Sequence, residues 1–502
     1  MRVARRSAGP GGRATAVPGL ARLHGNWRLR AGHALVVAGC LLAAGLAQAG
    51  TPRGRLTRTG PWLTDRQGRV VVLHGFNVVK KLPPFYPSNF TAADARLLAD
   101  EGFNVARIGF IWEGVEPSPG QFDGDYIARI AALDSLLRRY GIRTFVDFHQ
   151  DGWSRSLGFD GAPDWATLDP TILGSFAAFW RDDPAPDGMG IQSHFLAAWG
   201  RAAQVLRRHV NVIGFDPFNE PYPGSDYGSP CGLFSPCPAF EAGPLASFYQ
   251  RAIATIRAAG ARQVIWPEGI AQNGQQSPAL PSFADAQTAF TFHYYCPLTQ
   301  LSSDRVPVGE PNAATTACAP LEQAGVGTFL IYAASLGVPS LLSEFSCHDV
   351  NPDNAQVVDL VGREFTSWTI WAYYRNVPDP ANCPNQGLLE DEGQPASEAN
   401  AKQDKLDALA VPYAQAIAGT PMTTNLDRST RTFTLSYRSA AVQGAQLSKR
   451  ARTVVFIPER MYPDGYVVDV SGARVVSRRD ARRLKLQAEP DHDVSVTVTP
   501  RS

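Results

Sequence analysis

The sequence predicts an α/β protein: a (β/α)8 TIM barrel followed by a C-terminal all-β domain, an antiparallel sandwich. Three observations predict it. Eight short β-rich apolar runs between Val70 and Tyr374 alternate with helical segments, as parallel strands joined by crossover helices do, and eight is the number that closes a barrel. Polar residues recur at or just past the C-terminal ends of those runs: His149, Asn219, Glu220, Glu268, His293, Tyr295, Glu344 and Trp371. In a barrel that end carries the active site. From about Val411 the helical segments stop, and alternating strands separated by Pro, Gly and Asp turns take over. A chain of 502 residues has room for both units and buries a large core.

The first 50 residues differ in kind. Arg2, Arg5, Arg6, Arg13, Arg22, Arg28 and Arg30 precede an apolar segment, Ala34 to Ala47, that runs into Gln48 and Ala49. That is the layout of a secretory signal cleaved after Ala49. Residues 1–49 are therefore read as an export leader, 50–410 as the barrel and 411–502 as the sandwich, with a secreted or periplasmic location. Val37 to Cys40 resembles a lipoprotein cleavage box, the alternative being an anchor at Cys40, but the apolar run continues well past that cysteine. No later run is long enough for a membrane-spanning helix. Six cysteines remain after the leader, an even number that predicts three disulfides in an exported protein, Cys231 to Cys237 being the evident close pair. Their spacing matches no zinc site, so no metal is expected. Lys and Arg total 47 against 46 acidic residues, a net charge of +1, and nothing in that balance predicts nucleic acid as a partner. No obligate protein partner is implied.

The elements follow in order. A small hairpin occupies Thr51 to Gly68, and Val70 to Val79 is the first buried strand, ending near Lys80 and Lys81. Thr91 caps a helix to Glu101. Asn104 to Phe110 is the second strand and buries Arg107, which costs several kcal/mol unless a carboxylate pairs with it. A helix over Ile127 to Tyr140 leads to the strand Arg143 to His149, which is followed by Asp151. Phe195 to Arg208 is helical, and Val212 to Phe218 delivers Asn219 and Glu220 before Pro221 stops the strand. Phe248 to Ala259 is a helix, and Gln263 to Glu268, Thr288 to Tyr295, Pro339 to Phe345 and Trp368 to Tyr374 complete the eight strands. Asp160 to Gly190, Tyr222 to Pro238 and an insert from Leu301 to Gly325 are long loops. Phe176, Phe179, Trp180 and Met189 either line an apolar rim for a lipid tail or pack the loop.

Glu220 and Glu344, on the ends of separate strands, are the minimum equipment for hydrolysing a glycosidic bond. No cofactor is needed for that reaction.

RIGFIWEGVEPSPG, VDFHQD, NEP, HYY, SEF and TIWAYY together resemble the family 5 glycoside hydrolases. More narrowly, KLPPF, HQDGW, FEAGPLASFYQRAI and VPYAQAIAGT are similar to the endoglycoceramidases and related glycosylceramidases. The resemblance implies a retaining β-glycosidase in which Glu220 is the acid/base and Glu344 the nucleophile. It implies that Arg107 and Tyr295 orient Glu344, that His293 supports this group, and that Asn219 bonds the sugar 2-hydroxyl. Lys81, His149 and Asp151 would bind glucose hydroxyls, with Trp371 stacked under the ring. Glu268 matches no catalytic position and is expected to be structural. Ser343 and Ser346 flank Glu344 where glycine is common in the family. The substrate implied is a glycolipid or other β-glucoside: a glycosphingolipid cut between glycan and ceramide, or alternatively glucosylceramide, a steryl glucoside or a β-glucan. A lipid substrate would bring peripheral membrane contact, and the sandwich is either a membrane-docking module or only a brace for the barrel.

Overall fold

The computed structural model describes residues 54–228, 231, 236–270, 277–375, 383 and 385–501. The expected leader, including Cys40, lies outside them. Residues Gly50–Ser502 form one compact unit.

The eight expected strands are present: β1 (His74–Val78), β2 (Val105–Ile111), β3 (Arg143–His149), β4 (Val212–Asp216), β5 (Val264–Ile265), β6 (Phe290–Tyr294), β7 (Ser340–Phe345) and β8 (Ser367–Ile370). All neighbouring pairs are parallel, in the order β5-β4-β3-β2-β1-β8-β7-β6. The ring closes between β5 and β6, where Ala289 N–H donates to Ile265 C=O at 2.8 Å and Thr291 N–H to Pro267 C=O at 3.2 Å. The strands read as nearly continuous apolar runs because helices cover the outside of the sheet and side chains fill the inside.

Helices stand where sequence periodicity places them, with shifted ends. Ala92–Asp100 starts at a capping box formed by Thr91 and Asp94. Gly124–Arg139 is capped by Asp123, and Ile191–Leu206 and Ala246–Ala258 precede β4 and β5. Two of the three long segments expected as loops hold helices of their own. Ile172–Arg181 lies in the connection after β3, and Ala313–Leu336 takes up the end of the insert and leads to β7. Three disulfides join Cys231 to Cys237, Cys296 to Cys318 and Cys347 to Cys383.

The C-terminal strands are β9 (Tyr413–Ile417), β10 (Thr420–Asp427), β11 (Thr432–Arg438), β12 (Thr453–Phe456), β13 (Tyr466–Ser471), β14 (Ala473–Val475), β15 (Arg483–Ala488) and β16 (Asp493–Pro500). One sheet runs β10-β11-β16-β13. The other starts from the opening strands Thr57–Thr59, Trp62–Thr64 and Val70–Val71 and continues through β9, β12, β15 and β14. The opening hairpin thus belongs to a C-terminal sheet, and its last strand leads directly into β1. Among the described residues no helix is long and apolar enough to cross a membrane.

Candidate active site

Arg107 is the hub of the barrel mouth. Its side chain is fully buried on β2, and its guanidinium meets groups from four other strand ends. Nη1 donates to Glu344 Oε1 at 2.6 Å and to Asn77 Oδ1 at 3.0 Å. Nη2 donates to Asn219 Oδ1 at 2.7 Å and Asp216 Oδ2 at 2.9 Å, and lies 3.2 Å from Asp147 Oδ2. Three carboxylates therefore pair with the charge that the sequence left in need of one. Asp147, Asp216 and Asn77 are the functional residues that sequence reasoning passed over. A signal existed for Asp147, which stands two residues before His149 and so shares its face of the strand. Burial pushes the Asp216 carboxyl up to about 7, with Arg107 opposing and Asp147 reinforcing the shift.

Glu344 accepts from Arg107 through one oxygen and from the Tyr295 hydroxyl, at 2.8 Å, through the other. Its aim is set by a bulge in β7. Leu342 pairs with Phe292 but Glu344 with the next residue, His293, so Ser343 is extra and the strand turns at the functional side chain. The Ser343 carbonyl accepts from Asn77 Nδ2 at 2.7 Å and Thr369 Oγ1 at 2.6 Å, which holds the bulge. Ser346, on the far side of Glu344, has φ of 80°, the left-handed region in which glycine is at ease.

Glu220 lies just past β4 with φ of 45°, a left-handed conformation that costs a non-glycine residue about 1–2 kcal/mol. Gln150 anchors this turn: its Nε2 donates to the carbonyls of Asn219 at 2.9 Å and Glu220 at 3.0 Å, while Asn219 Nδ2 donates to Gln150 C=O at 2.9 Å. Glu220 keeps 20% of its side chain exposed, toward the mouth. Burial on its other sides pushes its carboxyl up to about 7; Asp151 adds to the shift and His149, Lys81 and Arg107 oppose it. His293, expected beside the nucleophile, has Nδ1 2.8 Å from Glu220 Oε1 and 3.5 Å from Glu344 Oε2. Burial drives this imidazole down to about 3, so it is neutral. One oxygen of Glu220, one of Glu344 and a His293 nitrogen all lie within 4.8 Å of one another.

A second cluster adjoins the first. His149 Nδ1 lies 3.0 Å from Asp147 Oδ2, and Nε2 lies 3.8 Å from Asp151 Oδ2. Burial opposes charge on this ring, but the two carboxylates outweigh it and raise the imidazole to about 10. Lys81 forms an ion pair with Asp151. Burial works against the Asp151 carboxylate, yet Lys81 and His149 hold it below its ordinary range. Trp371 stacks on His149 with centroids 5.0 Å apart and 10° between planes, and Lys81 Nζ stands 4.7 Å from the Trp371 ring centre. The structure thus brings every sequence-predicted site residue into one of two touching clusters. The apolar rim is different. Phe176 and Phe179 are buried at 1% and 0% exposure, packed against Trp153, Phe195 and Phe218, and Trp180 donates to the Tyr222 carbonyl at 2.6 Å. Of the four only Met189 is exposed.

The description Cellulase (glycosyl hydrolase family 5) matches residues 64–377. The chain belongs to glycoside hydrolase family 5. The Glycoside hydrolase family 5 C-terminal domain matches residues 412–499. Among relatives of this family 5 enzyme, endoglycoceramidase I of Rhodococcus hoagii (strain 103S) is 27% identical over 478 residues, 89% of each chain. A glucosylceramidase of Rhizopus delemar is 32% identical over 244 residues, 34% of this chain and 36% of that one. Endo-glycoceramidase II from Rhodococcus sp., solved as a ganglioside GM3 complex, superposes with a TM-score of 0.71 at 26% identity over 88% of this chain and 100% of that chain. As a family 5 glycoside hydrolase the chain is an enzyme, and it carries its carboxylate pair at the ends of β4 and β7.

Proposed function

We propose that this enzyme is a retaining β-glycosidase that cuts glycosphingolipids between glycan and ceramide. The observation that carries the reaction is the carboxylate pair: oxygens of Glu220 and Glu344 lie within 4.8 Å, in keeping with the carboxyl separation of about 5–5.5 Å of direct attack on the sugar rather than the about 6.5–9.5 Å of inversion. The two environments divide the labour. Glu344, with both oxygens engaged by Arg107 and Tyr295, attacks the anomeric carbon as Glu220 gives its proton to the departing ceramide oxygen. Glu220, now a carboxylate, takes a proton from water, and that water displaces Glu344 from the same face that ceramide left. Asn219, fixed by Arg107 and Gln150, bonds the 2-hydroxyl, a contact that strengthens in the transition state. Lys81, His149 and Asp151 hold the remaining hydroxyls of the glucose beside Trp371.

The substrate class rests on the endoglycoceramidase relatives and on the GM3 complex of the structural neighbour. The Rhizopus glucosylceramidase favours removal of a single glucose instead, but it matches only a third of the chain. An open cavity of about 660 Å³ bordered by Lys80, Lys81, Tyr86, Asn89, Arg375 and Glu392 adjoins the glucose cluster through Lys81, and it supports a glycan longer than one sugar. Leu82, Leu168, Leu173, Met189, Leu298 and Leu301 are exposed on the connections after β1, β3 and β6, and they support contact between the barrel mouth and the lipid surface that presents the substrate. The disulfides and the expected leader fit an enzyme that works outside the cell.

Incubation with a ganglioside, lactosylceramide and glucosylceramide, with products separated by thin-layer chromatography, tests this reading. Release of intact oligosaccharide and ceramide, absent with Glu344→Gln, is expected. Cleavage of glucosylceramide alone would transfer the protein to the exo-acting reading.

A further inference from the structure

Glu268 ends the run Trp266-Pro267-Glu268 just past β5, and the sequence offered no role for it beyond a structural one. The structure puts it at the meeting point of three strand ends. Its backbone is clamped by one buried side chain: Tyr249 Oη accepts from Glu268 N–H at 3.0 Å and donates to Glu268 C=O at 2.8 Å. A parallel bridge to Thr291 fixes it beside β6. With the main chain held, the carboxyl group, only 4% exposed, is aimed at the catalytic pair's acid. Oε2 accepts the backbone N–H of Glu220 at 3.2 Å, and Oε1 stands 3.5 Å from His293 Nδ1, the same nitrogen that contacts the Glu220 side chain at 2.8 Å. Glu220 lies past the end of β4 at Asp216, so its N–H has no partner in the strand ladder and has to find one elsewhere. The Glu268 carboxyl is that partner.

We propose that Glu268 is a positioning residue: by accepting the Glu220 N–H and bordering His293, it holds the turn that aims the proton donor at the leaving-group oxygen. The inference deepens the glycosidase reading and rests on Glu220 being the acid. Burial, reinforced by Asp216 and Glu220, raises the Glu268 carboxyl well above its ordinary range, so a neutral acceptor is what the site contains. Glutamine supplies the same acceptor and the same shape.

Leaving groups separate this role from a general structural one. Ceramide leaves as a poor anion and needs the proton, whereas dinitrophenolate leaves without it, so only misplacement of Glu220 distinguishes the two substrates. Glu268→Leu is expected to lower kcat/KM on lactosylceramide about 100-fold, the scale of a 1 Å misplacement. The first-turnover burst from dinitrophenyl β-lactoside is expected to stay within about twofold of the parent enzyme. Glu268→Gln should restore lactosylceramide cleavage to within about threefold, as its amide oxygen replaces the acceptor. Equal losses of Glu268→Leu on both substrates, or none on either, would overturn the proposal, as would a Glu268→Gln variant as impaired as Glu268→Leu. Glu220→Gln is the control: if it shows the leaving-group dependence and Glu268→Leu does not, only the role of Glu268 fails, and if it shows none, the acid assignment fails and takes this inference with it.

Discussion

In the proposed reaction a single carboxyl, that of Glu220, supplies the proton. Held up at about 7, it is still a proton donor at neutral pH, where an ordinary glutamate has lost its proton. The glycosylation step on lactosylceramide is therefore expected to fall as pH rises through about 7, a profile read from pH-dependent kcat/KM. The same shift has a thermodynamic side. The folded protein keeps the Glu220 proton up to about 7, whereas the unfolded chain loses it near the ordinary glutamate value of 4.5, so the native state binds more protons between the two. Stability from this group is full below that window and declines as pH rises through it. Glu220→Gln removes the cost, so its thermal midpoint should exceed that of the parent at about pH 8 and converge with it toward about pH 5, as followed by circular dichroism. Arg107→Lys is expected to abolish most activity and to lower the thermal midpoint, because an ammonium cannot span Glu344, Asn77, Asn219 and Asp216 together. The need for a partner to Arg107 was legible in the sequence, whereas the number of partners was not. Asp147 and Asp216 sit inside apolar runs, and only closure of the ring turns them inward to one point.

At the scale of elements, the connections after the strands decide what the site accepts. The strands themselves were legible because β-rich runs of similar length recur at barrel spacing. Helix Ala313–Leu336 was not, because its sequence has no continuous polar face and contains Pro320, so it carries no helical period to detect. Its position depends on a close approach: a Cβ at Gly325 would stand 2.2 Å from Tyr294 Cε2. Gly325→Ala should therefore displace Tyr294, next to Tyr295, and lower both stability and kcat, whereas Gly327→Ala, with open space around it, should leave kcat within error and raise stability by about 0.5–1 kcal/mol, the helical preference for alanine over glycine. The Cys296–Cys318 bridge ties the start of this helix to the β6 connection across 22 residues. Replacing both cysteines with serine is expected to cost about 2–4 kcal/mol, measured by denaturant unfolding. The helix Ile172–Arg181 is hidden in the sequence for a different reason. Its aromatic residues suit either a lipid rim or a core, and the tertiary structure buries Phe176 and Phe179.

At the scale of the molecule, the barrel and the C-terminal sheets share structure. Val70–Val71 pairs with β9 two residues before β1 begins, and His74 of β1 is stacked between Trp368 of β8, at 4.5 Å, and Tyr413 of β9, at 3.6 Å. Tyr413 Oη and Gln415 Nε2 both donate to the Gly102 carbonyl, at 2.8 and 3.0 Å, below the strand that carries Arg107. A chain ending at residue 410 would leave the opening hairpin without β9 and the His74 stack without one ring, so it is expected to be insoluble or to melt well below the longer protein. Residues 50–502 should unfold in one calorimetric transition. The sequence by itself determined the repeating strand–helix order, the carboxylates at the ends of β4 and β7 and the change to an all-β module, because these follow from local pattern and from residue types that chemistry restricts. Only the tertiary structure decided that the first strands complete the last domain's sheet, that His293 meets Glu220, and that Glu268 accepts the Glu220 N–H. Each of these joins residues far apart in the chain, and such contacts are fixed by how the ring closes and which strand ends it brings together.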